Sequence, residues 1–281
     1  MNFQSLRSLQ LLDQVVGQFE TGRTAEAVLL LAGMLDSAVT GPEAAEAWRR
    51  LLAGHPVSRF LGSSDPRLLA DPDPQGISAW ERQLHAAQSQ LGFVRGLSTR
   101  RELGAKAVET AWQKGQQIAL LECGELGELD RLRGLAVDNV TLVQRDRRRG
   151  EAIAARHAPP LRVLNPAEAQ GLQFDLLLAT ADSLAAADLA NQLSAYAGLL
   201  TPGASLLISA FVPGHLGAGW QAVCLGRELE CHDETSLIAA ARAAGLTISP
   251  YRDSSGSMIW AVLQSAASCR PTTGESTWTL R

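Results

Sequence analysis

From Ile118 onward, short apolar runs alternate with stretches of helical spacing, and this alternation constrains the fold more than any other feature of the chain. Ile118–Leu121, Val140–Val143, Leu161–Leu164, Phe174–Ala179 and Ser205–Phe211 read as strands. Leu126–Leu135, Arg147–Arg156, Ser183–Leu200 and Glu234–Ala244 read as helices, the last ended by Gly245. Strands joined through helices run parallel, because a crossover carries the chain back to its starting edge. Their apolar runs are continuous rather than alternating, as expected when helices cover both faces of a sheet. Leu246–Ser249 and Met258–Leu263 differ, since the connector Pro250–Ser257 is too short for a crossover helix. They read as an antiparallel hairpin. The fold class that follows is α/β, a mostly parallel seven-stranded sheet with a final antiparallel hairpin.

Residues 1–97 read as helix and turn. Leu6, Leu9, Leu12 and Val16 recur at helical spacing, and Thr24 is placed to cap Ala25–Leu35. Pro42 suits the first turn of a helix over Glu43–Leu52. Asp-Pro and His-Pro pairs then mark turns, before helices over Ser78–Gln90 and Ser98–Lys114, the second capped by Ser98. The expected organisation is a helical N-terminal cap over 1–97, a Rossmann-like domain over 98–265 and a flexible tail rich in Ser, Thr, Gly and Pro over 266–281.

Several function classes are disfavoured. A net charge of −4 does not suit binding to nucleic-acid phosphates. The run Arg145–Arg149 contains Asp146 and reads as a solvated helix start. No apolar run is long enough to span a bilayer, and no leader pattern is visible, so a cytoplasmic location is expected with no membrane partner. The four cysteines form no CxxC pair, and Cys224, Cys231 and His232 lack common zinc spacing, so no metal is expected. Neither a Gly-x-Ser-x-Gly elbow nor a P-loop lysine motif is present.

Three local patterns, with the closing hairpin, resemble the class I S-adenosylmethionine-dependent methyltransferases. These are Leu121-Glu122-Cys123-Gly124 at a strand end, Phe174–Ala179 in the place of that family's fourth strand, and Leu199-Leu200-Thr201-Pro202-Gly203-Ala204-Ser205-Leu206 leading into its fifth. The resemblance spans about 98–264. His55-Pro56, Arg100-Arg101 and Glu128-Leu129 also resemble a bacterial subgroup linked to methyl esters of hydroxy fatty acids.

The resemblance implies S-adenosylmethionine as cofactor. It also implies a glycine-rich tip after the first strand, where the backbone approaches the ligand, and an acid after the second strand that accepts the ribose hydroxyls. Gly124 fits the tip; in the subgroup register it is the second glycine and Glu122 stands in place of the first. The acid position falls on Gln144, which offers an acceptor without charge, and Asp146 follows two residues later. Asp182, just after the fourth strand, is a further cofactor candidate, or an N-cap for the next helix. His215, in the glycine-rich stretch after the fifth strand, is the candidate general base or substrate contact.

Three functions are open on these residues. One is a small-molecule methyltransferase acting on a carboxylate or hydroxyl, where positioning does most of the work. The second is a non-catalytic relative serving as a partner or scaffold subunit. The third is an enzyme that uses the same crevice for another reaction. The partner is a small molecule or a protein, a second copy of the chain included.

Overall fold

The computed structural model describes residues 3–61, 77–122, 127–132, 134–155, 157, 161–182, 184–224 and 230–265. The expected tail and Gly124 lie outside these residues. Five helices come first: α1 (Phe3–Glu20), α2 (Thr24–Ala38), α3 (Pro42–Ala53), α4 (Ala79–Gln88) and α5 (Gly92–Gln113). Then follow β1 (Ile118–Leu121), β2 (Val140–Val143), α6 (Arg147–Ala154), β3 (Arg162–Leu164), α7 (Pro166–Ala169), β4 (Phe174–Thr180), α8 (Leu189–Ala197) and β5 (Leu200–Phe211). The chain continues through α9 (Ala218–Cys224), α10 (Glu234–Ala243), β6 (Leu246–Arg252) and β7 (Met258–Ser265).

The seven strands form one Rossmann-like sheet in the order β3-β2-β1-β4-β5-β7-β6. β1 pairs in parallel with β2 on one side and β4 on the other, and β2–β3 and β4–β5 are parallel too. β6 and β7 are neighbours joined only by residues 253–257, a connection that fits an antiparallel hairpin. Every residue of β1 and β2 is buried, which is why both strands read as unbroken apolar runs.

The chain divides into two compact units. One takes Met1–Leu103, Ala210–Asp233 and Arg252–Ile259; the other takes Gly104–Ser209, Glu234–Tyr251 and Trp260–Arg281. The core of the second unit joins Val108 and Ala111 of α5 to Ile118, Leu120, Val140, Leu142, Ile153 and Leu178, closed at one side by Leu129 and Leu132. In the first unit α1 and α4 pack on α2, and so does α9, which also meets α3.

Several local expectations are corrected. Helix α5 starts at Gly92, six residues before Ser98, which therefore sits inside the helix and caps nothing. The burial of Leu91, Phe93 and Val94 favours ordered helix in this upstream turn. Thr24 is the first residue of α2, and the N-cap position is held by Arg23. Leu126–Leu135 is represented by a short 3-10 helix over Gly127–Leu132, while Leu126 lies outside the described residues. The helix after β4 begins only at Leu189, following turns in which Leu184 N–H donates to Ala181 O and Asp188 N–H to Ala185 O.

Thr201-Pro202-Gly203 does not separate two elements. It forms a bulge within β5, whose pairing with β4 jumps from Phe174↔Leu200 to Leu176↔Ser205. Pro202 has no N–H to give a ladder, and Gly203 supplies the positive φ (87°) that the bulge requires. Thr201 Oγ1 donates to Asp175 Oδ1 at 2.8 Å and anchors it. Pro250 falls within β6, which is tolerated because β6 is the edge strand.

Leu120 is fully buried in β1 with parallel partners on both sides. Leu120→Ala is expected to lower stability in urea denaturation by about 2–5 kcal/mol, whereas the volume-conserving Leu120→Met costs less than about 1.5 kcal/mol.

Candidate functional site

The strand order reverses between β1 and β4, since β2 and β3 lie to one side of β1 and β4 and β5 to the other. Helices leaving adjacent strands toward opposite faces open a crevice at their carboxyl ends, where ligands bind in open α/β sheets. The strands end level there: Leu121 pairs with Val143 and with Ala179. Glu122, Gln144 and Thr180 are the next residues on the three strands. The register thus brings Glu122, Gln144, Asp146 and Asp182, all in the second unit, to one edge of the sheet.

Glu122 is the one non-glycine among the described residues with positive φ, at 53°. An L residue in this region carries a cost of about 1–2 kcal/mol, which glycine avoids. Its backbone is held by an N–H bond to Val143 O at 3.0 Å. Its carboxylate Oε1 accepts from the Arg145 backbone N–H at 2.9 Å and lies 3.6 Å from Arg145 Nε. Arg145 Nη2 in turn donates to Gln192 Oε1 of α8 at 2.8 Å. A carboxylate rooted on β1 is thereby fastened to the tip of β2.

The β2 residues are engaged elsewhere. Gln144 is 2% exposed, and its stem lies against Gly150 of α6, where an added Cβ would come within 3.3 Å of both Cβ and Cγ. Asp146 is the N-cap of α6 and accepts from Arg149 N–H at 3.1 Å. Asp182 is buried immediately after β4, where Ala181 N–H donates to Ser209 O at 2.8 Å. Glu128 packs its side chain on Gly104 of α5, with Cγ 2.8 Å from where a Cβ would stand.

His215 belongs to the first unit. It is 6% exposed, stacks on Phe211 with ring centroids 4.9 Å apart, and has both ring nitrogens bonded. Nδ1 meets Val212 O and Nε2 meets Gln221 Oε1, each at 2.8 Å. Arg100 lies over the Phe211 ring at 5.1 Å. For His215 to take a proton from a substrate, Nε2 would have to give up Gln221.

Sequence reasoning missed Asp36. This carboxylate sits in the last turn of α2, the wrong sign for its own helix dipole. Its two oxygens accept from Gly217 N–H and Gly219 N–H, each at 2.7 Å, and so serve the start of α9. An added Cβ on Gly219 would stand 2.4 Å from the Leu35 carbonyl carbon, so only glycine permits this approach. The unfavourable dipole position was the signal available in the sequence. Ser209, also missed, buries a hydroxyl that has no partner among the described residues.

Among the described residues, no group of three or more His, Cys, Asp or Glu is placed to hold a metal. Cys224 forms no disulfide, and burial pushes its thiol up to about 12. None of the helices, among the described residues, is long and apolar enough to cross a membrane.

No family model matches this chain, and no curated protein does. Among solved structures, a possible exported protein from Bordetella parapertussis matches at TM-score 0.53 and 18% identity, over 94% of this chain and 99% of that one. A magnesium protoporphyrin IX methyltransferase from Synechocystis PCC 6803 with bound SAH matches at TM-score 0.49 and 15% identity, over 74% of this chain and 98% of that one. An S-adenosylmethionine-dependent methyltransferase from Clostridium acetobutylicum ATCC 824 matches at TM-score 0.45 and 10% identity, over 67% and 99%.

Asp36→Ala is expected to cost about 1–3 kcal/mol in urea denaturation, because two N–H groups lose their acceptor. Asp36→Asn retains one acceptor oxygen and should fall between the variant and the parent.

Proposed function

We propose that this chain binds S-adenosylmethionine at the carboxyl ends of β1 and β4 and transfers its methyl group to a small-molecule carboxylate or hydroxyl. The observation that carries this reading is the reversal of strand order between β1 and β4, in a sheet that closes on a β6–β7 hairpin. The residues at that edge fit such a ligand, with Glu122 providing a charged acceptor at the tip of β2 and Asp182 following β4. When bound, the cofactor supplies an electrophilic methyl on a sulfonium. The chain's own part is to bind and orient: Gly124 lets the backbone approach, while Glu122, Gln144, Asp146 and Asp182 are the proposed polar contacts. The residues His55-Pro56, Arg100-Arg101 and Glu128-Leu129 support a hydroxylated fatty acid as the acceptor.

A second reading, a non-catalytic relative that serves as a partner or scaffold subunit, is favoured by one observation. The strand-two acid is replaced by Gln144, and that side chain is buried against α6.

Calorimetry with S-adenosylmethionine and S-adenosylhomocysteine separates the two. Dissociation constants of about micromolar order, lost on Gly124→Trp, are expected for the methyltransferase. No binding at millimolar cofactor would overturn that reading and leave the non-catalytic one, or an enzyme that uses the same crevice for another reaction.

A further inference from the structure

The ribose hydroxyls of an adenosyl ligand need an acceptor at the end of β2, and β2 itself offers little. Gln144 is uncharged and 2% exposed, and Asp146 spends Oδ1 on the Arg149 N–H. Glu122 reaches the same place from the neighbouring strand. Its Oε1 lies 2.9 Å from the backbone nitrogen of Arg145, the residue directly after Gln144. Oε1 makes both contacts with Arg145, and Oε2 carries no bond to another described residue. Arg145 is itself held by Gln192 of α8 at 2.8 Å, so the carboxylate has a fixed seat. Glu122 adopts a positive φ of 53°, and its side chain reaches the residue that follows Gln144.

We propose that Glu122, rooted on β1, supplies the charged acceptor for the ribose hydroxyls that β2 does not supply. This rests on the S-adenosylmethionine reading above and assigns one position within it. A carboxylate is the stronger acceptor for two adjacent hydroxyls, because charge assistance roughly doubles each bond.

The test compares S-adenosylhomocysteine with its 2′-deoxy and 3′-deoxy ribose counterparts by calorimetry, on the full chain. The parent is expected to favour the ribose ligand by about tenfold or more. Glu122→Gln keeps an oxygen for the Arg145 N–H but removes the charge, and should bring that ratio close to one. Glu122→Gly places a strain-free residue at a positive φ and should lose the ratio as well, so a folding defect in the first variant would not hide the result. A preference for ribose that survives both Glu122 variants overturns the proposal and leaves the cofactor reading standing. Absence of any binding to the parent chain overturns both.

Discussion

β1 is the strand on which the second unit depends. It is hydrogen-bonded in parallel on both edges, to β2 and β4, and all of its residues are buried. A strand in that position cannot be served by hairpins, so the chain must leave and return through crossovers that cover the sheet. The same constraint sets the direction of the strand order. With β2 and β3 laid down on one side, β4 and β5 take the other, and a gap between oppositely directed connections opens beyond Leu121 and Ala179. The candidate site is thus a consequence of topology before any side chain is considered.

The first unit obeys a different rule, because it joins segments remote in sequence. Asp36 of α2 meets the start of α9, which lies after β5. One carboxylate satisfies two N–H groups there, and a bond to a charged acceptor is stronger than a neutral one. Gly219 makes the approach sterically possible. His215 braces the same segment from within, through Val212 O and Gln221. The buried imidazole thus ties Val212 to Gln221 of α9.

The strands were legible because burial on both faces leaves a simple signature. β1 and β2 begin and end where their apolar runs do. The closing hairpin followed from connector length alone. Helix ends were less legible, since tertiary burial overrides local caps: Leu91, Phe93 and Val94 draw α5 past Ser98. Thr201-Pro202-Gly203 has turn chemistry, yet a bulge uses the same residues inside a strand. The site was legible only in part. The resemblance set Glu122 and Gln144 at the strand ends, where the register brings them, but the contacts of each side chain are tertiary and periodicity does not encode them. Asp36 acts across more than 180 residues of sequence, beyond the reach of any local pattern.

Strain and bonding oppose one another at Glu122. Its left-handed backbone costs about 1–2 kcal/mol. Its ion pair with Arg145 returns little, because Arg145 is 59% exposed and such pairs contribute about 0–1 kcal/mol. The bond from the Arg145 N–H to the carboxylate adds about 1.5–3 kcal/mol, so the gains offset the strain and exceed it by about 1 kcal/mol. Glycine would avoid the strain and forgo the bond. What glutamate alone brings is a negative charge at the tip of β2, in a chain whose own β2 residue there is an uncharged, buried amide. That charge sits at the edge where topology opens the crevice.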